Sequence, residues 1–231
     1  MKKLNLTTKI IDHPQSYVNW IKNQSGLPWL MIDFEVPWRQ MLKEVELLEG
    51  WIPYRNEGGN GWSSLAIHGR KGLESSVYHS NIKDDDYSWS IIADMCPVTK
   101  DFLQNKAGII KHKKTRFMKV DPGGSIFLHH DRECETDPLT SGIKELGPLH
   151  FTIQNPDECL FHIPPWGTIP LKNGSTWFFS NVWEHEVINN SDKPRYHIIC
   201  SGCDFDNEYW NPIIIEAWEN VRQRFADVSY A

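Results

Sequence analysis

The chain has 231 residues, of which 40% are hydrophobic, and its formal net charge is −6 at pH 7. This length suits one domain with a sizeable core and is too short for two comfortable ones, so residues 1–231 are interpreted as a single domain. An acidic chain has no general attraction for phosphate backbones, which argues against duplex nucleic acid as a partner.

The start of the chain has no apolar run long enough for a signal peptide or a membrane span. The five cysteines are an odd, scattered set, which argues against a disulfide framework. We therefore expect a cytoplasmic protein with reduced thiols and no membrane contact. The sequence does not indicate an oligomeric state.

Residues 1–115 are interpreted as a mixed elaboration of helices and strands outside the main core. Apolar side chains at helical spacing, together with Pro and Gly at suitable ends, predict helices over residues 37–48, 88–95 and 98–104. The last two are separated by Pro97. A strand is predicted over residues 62–68, after a glycine-rich turn.

From residue 116 the pattern changes to short apolar runs separated by turns. Seven of these runs are predicted strands: 116–120, 125–131, 149–155, 159–163, 176–179, 184–189 and 196–201. They favour a mainly β fold with flanking helices, a double-stranded β-helix of the jelly-roll, cupin-like type with its core over 116–203. The loop 132–147 is either a lid or a solvated excursion. An apolar stripe of 3.6-residue period predicts a C-terminal helix over 207–227.

The clearest candidate for chemistry is a metal site. His129 and Asp131 lie two residues apart in a predicted strand, so their side chains share one face and form a chelate. The third ligand is assigned to His185, which lies in another strand-like run. Two histidines and one carboxylate leave open positions on a metal, which is typical of a non-haem Fe(II) oxygenase and unlike a closed zinc site.

Arg195 follows His185 by ten residues, across a turn. We expect the two on neighbouring antiparallel strands, with both side chains pointing into one cavity. An offset of three or four residues separates their Cα atoms by roughly 10–13 Å, which suits a short dicarboxylate. 2-Oxoglutarate would chelate iron at one end, while Arg195 would hold the far carboxylate in a bidentate, charge-assisted pair.

Four motifs between residues 116 and 203 are informative together. They are the turn Pro122-Gly123-Gly124, the ligands His129-His130-Asp131, the segment His185-Glu186-Val187-Ile188-Asn189, and Arg195. This set resembles the aspartyl/asparaginyl β-hydroxylase-like family of Fe(II)/2-oxoglutarate dioxygenases. The presence of Asp131 aligns the chain with the branch that includes free amino-acid hydroxylases.

The resemblance implies a double-stranded β-helix and Fe(II) and 2-oxoglutarate as cofactors. It also implies hydroxylation of a C–H bond, with O2 consumed and 2-oxoglutarate decarboxylated to succinate. The substrate would be an amino acid, a peptide or protein side chain, or another small molecule. Many members place a second contact for 2-oxoglutarate in an Arg-x-His pattern, and here Pro148-Leu149-His150 keeps only the histidine. His150 is equally interpreted as a hydrogen-bonded histidine on a buried strand.

Two other functions stay open. A cupin-like metalloprotein would use the same barrel with zinc or manganese for isomerisation or hydrolysis, and Arg195 would be structural. A non-catalytic jelly-roll binding module would not bring His129, Asp131 and His185 together. The Cys200-Ser201-Gly202-Cys203 segment would need a second cysteine pair for zinc, or a following helix N-terminus for redox activity.

The surroundings of the site suggest what enters it. Three tryptophans, Trp62, Trp166 and Trp183, are either core residues or the lining of a substrate pocket. Three acidic residues, Glu133, Glu135 and Asp137, closely follow Asp131 and predict a negative electrostatic potential at the rim of the active site. We therefore expect a substrate that carries an amine, in preference to a polyanion.

Overall fold

The computed structural model describes residues 29–54, 59–72, 86–130, 148–164, 166–179 and 183–228. Its strands are β1 (Trp29–Ile32), β2 (Ile52–Pro53), β3 (Gly59–Arg70), β4 (Tyr87–Trp89), β5 (Ile109–Lys111), β6 (Lys114–His129), β7 (Leu149–Gln154), β8 (Cys159–Ile163), β9 (Gly167–Thr168), β10 (Thr176–Phe179), β11 (His185–Asn189), β12 (Arg195–Ser201) and β13 (Asp204–Phe205). Its helices are α1 (Trp38–Val45), α2 (Ile91–Met95), α3 (Pro97–Asn105) and α4 (Asn207–Val228).

One antiparallel sheet dominates the fold. Its strand order is β1-β10-β7-β12-β6-β11-β8-β9, and β3 pairs with β6 as well as with β2 and β4. The sheet curls on itself, because the rings of Phe161 on β8 and Trp177 on β10 lie 5.2 Å apart although these strands are near opposite ends of the order. The predicted class is confirmed: a mainly β jelly roll with flanking helices.

Strand β6 is the element that joins the two halves of the roll. Its first residues pair with β12 and its last residues pair with β11. The turn that was predicted to separate two strands lies inside this single bent strand. Gly123 there has φ of +69°, and a Cβ on Gly124 would lie 2.8 Å from the carbonyl oxygen of Asn60. Only glycine permits both the conformation and the close approach.

The curled sheet has a different core on each face. The outer core joins the outer face of the sheet to α1, α3 and α4, and its buried members include Leu149, Phe151, Ile153, Ile198, Met41, Phe102, Trp210 and Ile214. The inner core fills the roll and consists of Val120, Ile126, Cys159, Phe161, Ile163, Ile169, Trp177, Phe179 and Val187. Strand β7 is therefore buried on both faces although its sequence alternates, with Leu149, Phe151 and Ile153 in the outer core and His150 and Thr152 on the opposite, inner face.

Three of the four predicted helices are confirmed as α1, α3 and α4. The helix predicted over 88–95 is wrong in its first part, because residues 87–89 form β4 and pair with β3. Ser90 ends that strand and caps α2, since its Oγ accepts hydrogen bonds from the N–H groups of Ile92 and Ala93 at 3.1 and 3.4 Å. Among the helices described, none combines the length and apolar character needed to cross a membrane.

Candidate active site

Two of the predicted metal ligands stand side by side. His129 ends β6 and His185 begins β11, and the two are direct partners in the antiparallel ladder. Their ring centroids lie 4.4 Å apart. This pairing follows from the bend in β6, which brings the last residues of that strand beside the first residue of β11.

Hydrogen bonds orient both imidazoles in the same way. Nδ1 of His129 lies 2.7 Å from the carbonyl oxygen of Phe127, and Nδ1 of His185 lies 2.8 Å from that of Trp183. A carbonyl oxygen can only accept, so Nδ1 carries the proton in each ring and the lone pair is on Nε2. A histidine that binds a metal through Nε2 commonly has such a partner for its other nitrogen.

The third predicted ligand, Asp131, lies outside the described residues, as does the loop 132–147. Within the part of the chain that the structure describes, no three potential ligands from His, Cys, Asp and Glu are gathered around one point. The structure therefore brings together His129 and His185, and the carboxylate of the predicted triad stays a prediction.

Aromatic rings surround the paired histidines. The ring of Phe161 stacks on His185 at 5.6 Å with an interplanar angle of 5°, and Phe179 meets the same ring edge-on at 5.0 Å. Trp62 lies 6.1 Å from His129. These rings make the inner side of the pair apolar, and an apolar surrounding strengthens polar interactions with a bound group.

Arg195 lies in the same interior and is fully buried. Its Nε donates to Oδ1 of Asn155 at 3.0 Å, and its Nη1 donates to Nδ1 of His197 at 2.9 Å. Among the described residues, its Nη2 has no hydrogen-bond partner and no carboxylate lies within ion-pair range. Burying a cation without a counterion is costly, and here burial lowers the pKa of Arg195. The arrangement favours an anionic ligand that completes the set of contacts.

His150 lies on the inner face of β7. Its ring stacks on Trp177 at 4.0 Å and lies 5.3 Å from the ring of His197. Burial lowers its pKa well below the ordinary value, and the charges of Arg195, His185 and Arg116 act in the same direction. Neither ring nitrogen of His150 has a hydrogen-bond partner among the residues described. The interpretation of His150 as a hydrogen-bonded core histidine is therefore not supported.

One expectation about this interior is wrong. His185 and Arg195 were predicted on neighbouring strands, but β11 and β12 do not pair with each other. Both pair with β6, which lies between them in the strand order. The reason is the length of β6, whose 16 residues span the bend and offer one partner surface to each strand.

Comparisons with known proteins agree with this geometry. The sequence model of the aspartyl/asparaginyl β-hydroxylase family matches residues 39–204, more than two thirds of the chain. The chain belongs to this family. It is accordingly an enzyme of the 2-oxoglutarate-dependent hydroxylase class, and the resemblance inferred from its motifs is confirmed.

Solved structures share the fold at low sequence identity. An oxidoreductase of the 2OG-Fe(II) oxygenase family from Burkholderia pseudomallei matches with a TM-score of 0.50 and 9% identity, over 84% of this chain and 94% of that one. A viral collagen prolyl hydroxylase from Paramecium bursaria Chlorella virus-1, solved with 2OG, matches with a TM-score of 0.46 and 14% identity, over 78% and 97% of the two chains. Comparison with curated protein sequences gives no significant match.

Several residues of this hydroxylase's interior were missed by sequence reasoning. Asn155 and His197 hold the guanidinium of Arg195, as described above. A signal for His197 was present, because residues two apart in a strand share a face and Arg195 begins β12. Asn155 lies just beyond β7, and nothing in its local sequence connects it with a residue forty positions later.

Asn189 fixes the point where the halves of the roll meet. It is fully buried, and its Nδ2 donates to the carbonyl oxygens of Val120, Asp121 and Lys193 at 2.8–3.1 Å. These bonds tie the end of β11 to the bend of β6 and to the residues just before Arg195. The motif contained Asn189, but its spacing alone does not reveal this structural role.

The three tryptophans and the cysteine pair of the hydroxylase are now placed. Trp62 and Trp183 pack against the inner core, whereas Trp166 is 36% exposed and contacts Trp183 at 5.6 Å.

Cys200 and Cys203 are free, buried thiols, and Cys200 belongs to the outer core. The cysteines therefore lie apart from the paired histidines.

Proposed function

We propose that this hydroxylase is an Fe(II)/2-oxoglutarate-dependent dioxygenase with iron bound by His129, Asp131 and His185. The observation that carries the proposal is the buried guanidinium of Arg195, which has an unmatched donor and lies in the same interior as the paired histidines. An anionic co-substrate that also binds iron accounts for both features. No such account is available for a barrel that binds a metal alone.

The residues present fit iron. Two imidazoles with the lone pair on Nε2 and one carboxylate are the donor set of non-haem Fe(II) oxygenases, and they leave positions for further ligands. The carboxylate is taken from Asp131 on the basis of the sequence, since it follows His129 by two residues and lies outside the described residues. The carbonyl oxygens of Phe127 and Trp183 keep each ring in the tautomer that a metal requires.

The residues present also fit 2-oxoglutarate. Arg195 would bind its far carboxylate through Nη2, while Asn155 and His197 hold the other guanidinium donors in place. His150 would supply a second contact through one of its ring nitrogens. Because burial keeps His150 and His197 neutral, each presents one N–H donor without adding a further positive charge.

When bound, iron and 2-oxoglutarate supply the oxidising power by which O2 converts a C–H bond into C–OH, with release of succinate and CO2. The chain's own contribution is binding and orientation. Phe161, Phe179 and Trp62 exclude water from the inner side of the site, and Arg195 compensates the charge of the co-substrate. The substrate is an amino acid, a peptide or protein side chain, or another small molecule.

The two alternatives are less well supported. A non-catalytic module would have no reason to place His129 and His185 as ladder partners with matched hydrogen bonds. A cupin-like isomerase or hydrolase would leave Arg195 as a structural residue, and a structural arginine is rarely buried with an unpartnered Nη2.

The test is metal and co-substrate binding by the purified chain. Under anaerobic conditions we expect it to take up one equivalent of Fe(II) and then 2-oxoglutarate, with the visible absorbance of an iron–keto acid complex. In air it should release succinate, and substrate should accelerate that release. A protein that binds zinc or manganese but neither binds nor consumes 2-oxoglutarate would support the cupin-like alternative.

A further inference from the structure

The two cysteines at the end of β12 form a motif that the proposed function does not use. Cys200 pairs with Thr115 of β6 in the antiparallel ladder. Gly202 has a φ of +65°, and the turn at this residue brings Cys203 back beside Cys200, so that the two side chains are hydrogen-bonded to each other. Both cysteines are almost fully buried, at 0% and 1% exposed. Two thiols are therefore in contact in the interior of the protein.

This cysteine pair does not have the surroundings of a metal site. In the described part of the chain, no three side chains from His, Cys, Asp and Glu are placed so that they could hold one ion, whereas structural zinc takes four ligands. The next element after Cys203 is the strand β13, which begins at Asp204, so a helix N-terminus does not directly follow the pair. Any activation of a thiol must therefore come from other hydrogen-bond donors.

Such donors lie on the segment that leads into β6. The backbone N–H of Lys113 donates to Sγ of Cys203 at 3.5 Å, and Oγ1 of Thr115 lies 3.7 Å from the same sulfur. Nε2 of His112 donates to the carbonyl oxygen of Leu103 at 3.1 Å, so Nδ1 of that ring has the lone pair. Nδ1 lies 3.3 Å from Oγ1 of Thr115 and accepts from its hydroxyl. The proton of Cys203 can thus pass through Thr115 to His112.

These contacts distinguish Cys203 from the other buried cysteines. Burial raises the pKa of Cys96 to about 12 and also raises the pKa of Cys159. The pKa of Cys203 lies well below its ordinary value despite similar burial, because Cys200 donates to its sulfur and because a protonated His112 stabilises the negative charge. Burial raises the pKa of Cys200 well above its ordinary value. A thiolate, which is the nucleophilic form, therefore lies beside a thiol that keeps its proton.

A cavity of about 330 Å³ gives access to this region from the other side of His112. The cavity opens to solvent beside Ile110, whose side chain is 72% exposed, and its inner wall includes His68 and His112. The charge of Cys203 interacts with both of these histidines, so the sulfur lies close behind the two rings. A small molecule in the cavity is therefore separated from the sulfur by a single side chain, whereas a protein partner could not reach it.

We propose that Cys200 and Cys203 are a redox-active dithiol, which a small hydroperoxide oxidises to a disulfide. The sulfur of Cys203 attacks one peroxide oxygen, an S–O bond forms as the O–O bond breaks, and the departing oxygen takes the proton held on His112. Cys200 then attacks the sulfenic sulfur of Cys203, an S–S bond forms, and hydroxide leaves with the proton of Cys200 as water. The two thiols lose two electrons, which reduce hydrogen peroxide to two molecules of water. This chemistry does not depend on the proposed function at the paired histidines.

The experiment exposes the full, reduced chain to hydrogen peroxide with a metal chelator present, so that iron cannot convert the peroxide into radicals. Free thiols are alkylated at successive times, and each cysteine is followed by peptide mass spectrometry. One tryptic peptide contains both Cys200 and Cys203, and their disulfide makes it two hydrogen atoms lighter. We expect this disulfide to form on the order of tenfold faster than Cys96 or Cys159 is oxidised, since those two are buried internal controls. Dithiothreitol should restore both thiols.

Two substitutions of Thr115 test the proton path. Thr115→Val keeps the shape of the side chain and removes the hydroxyl, so it should slow oxidation by on the order of tenfold. Thr115→Ser is the matched control, because it keeps the hydroxyl and should react at nearly the wild-type rate. If Thr115→Val does not fold, two further variants identify the nucleophile. In Cys200→Ser the sulfenic acid of Cys203 should accumulate and react with a cyclic 1,3-dione, whereas Cys203→Ser should leave Cys200 unlabelled.

Each result bears on a separate part of the proposal. The dithiol is overturned if Cys200 and Cys203 stay reduced, if they are oxidised no faster than the control cysteines, or if the disulfide joins either of them to Cys134. Wild-type speed in Thr115→Val overturns the proton path through His112. A dione label on Cys200 in Cys203→Ser overturns the assignment of Cys203 as the nucleophile.

Discussion

The two faces of the curled sheet differ in what they leave unsatisfied. On the outer face of β7, Leu149, Phe151 and Ile153 are fully buried against helices, and the polar atom of the neighbouring Trp210 is hydrogen-bonded to two carbonyl oxygens. On the inner face of the same strand, His150 is equally buried and neither ring nitrogen has a partner among the described residues. The outer face of β7 therefore contributes to the packed core, whereas its inner face presents buried polar atoms that a ligand could bind.

This difference teaches how to recognise a binding interior when no ligand is present. The outer face is stabilised mainly by apolar area, about 25 cal/mol per Å² removed from water, and on β7 it carries only apolar side chains. The inner face contains two buried arginines and three buried histidines, Arg116, Arg195, His150, His185 and His197, and burying such groups costs stability unless a counter-charge or a hydrogen-bond partner compensates them. We infer that substitutions on the outer face will affect folding, whereas substitutions on the inner face will affect binding.

The largest effect is expected at the metal ligands. His129→Ala, Asp131→Ala and His185→Ala should each lose most bound Fe(II) without unfolding, because three ligands are the minimum for such a facial site. Asp131→Glu should be nearly as harmful, since the longer arm misplaces the oxygen. Metal content after anaerobic loading, with circular dichroism for the fold, provides the measurement.

A matched control for these variants is His162→Ala. His162 lies on β8 and pairs with Glu186 of β11, so it is close to His185 in the sheet but is not part of the paired histidines. It should keep full iron content. Full occupancy in two of the three ligand variants would contradict the assignment of the triad.

The next comparison sets Arg195 against Phe151, one residue from each face. Arg195→Ala should weaken the binding of 2-oxoglutarate by about 2–5 kcal/mol, because it removes the partner of a buried carboxylate. It should leave the affinity for iron nearly unchanged. His150→Ala should have a smaller effect. Calorimetric titration of 2-oxoglutarate into the anaerobic, iron-loaded proteins measures both. Unchanged affinity in Arg195→Ala would remove the main reason for proposing an oxygenase.

Phe151→Ala should show the opposite pattern. Loss of this outer-core ring is expected to lower the free energy of unfolding by about 3–5 kcal/mol, measured by urea denaturation, while the 2-oxoglutarate affinity of the folded protein stays the same. If Phe151→Ala and Arg195→Ala affected stability and binding alike, the proposed division between the two faces would be wrong.

A smaller effect is expected from pH. Burial lowers the pKa of His150 and His197 well below the ordinary value, so the unfolded chain takes up protons near pH 6.5 that the folded chain does not. Their contribution to stability is therefore complete above about pH 6.5 and is lost as the pH falls below it. His197→Asn removes one of these titrating groups and keeps an acceptor for Nη1 of Arg195. Between pH 6 and 5 the unfolding free energy of this variant should therefore fall less steeply than that of the wild-type protein, by about 1.4 kcal/mol per pH unit. Equal slopes in the two proteins would show that His197 does not contribute.

The smallest effect is expected from the three acidic residues that follow Asp131 and are predicted to lie at the entrance of the active site. Neutralising Glu133, Glu135 and Asp137 together should raise KM for an amine-bearing substrate a few-fold and flatten its salt dependence, because exposed charges act over about one Debye length, roughly 8–10 Å. Uncoupled turnover of 2-oxoglutarate should not change. These residues lie outside the described part of the chain, and a triple variant with wild-type KM would identify the loop as a solvated excursion.

Part of the candidate site could be predicted from the sequence, because strand alternation and motif spacing are properties of short segments. The ladder pairing confirms that the predicted ligands His129 and His185 are close together, and the motif around His185 and the glycine-rich turn indicated the family. That Asp131 shares a face with His129 stays a prediction, because Asp131 lies outside the described residues. Five of the seven core strands were predicted within one residue at each end, since short apolar runs bounded by turns have few other interpretations, whereas the runs 116–120 and 125–131 belong to the single strand β6. The helix predicted over 88–95 was wrong because Ser90 looks the same whether it continues a helix or begins one.

Other features depended on strand pairing, which no local pattern encodes. That β11 and β12 both pair with β6 follows from the bend at Pro122 to Gly124 and from the bonds of Asn189. The contacts of Arg195 with Asn155 and of Arg116 with Tyr54 join residues 40 and 62 positions apart. Such pairs become neighbours only when a register is chosen, and the choice depends on the packing of the whole sheet.

The sequence by itself determined the jelly-roll class, the family and the residue types of a possible iron and 2-oxoglutarate site, because periodicity and motif spacing are properties of short segments. Only the tertiary structure decided which face of each strand meets the helices and which meets the interior. It also decided that Arg195 is fully buried with a guanidinium Nη2 that has no hydrogen-bond partner among the described residues. The physical reason is that burial and hydrogen-bond satisfaction are defined by neighbours distant in sequence, and those neighbours exist only once the sheet has curled.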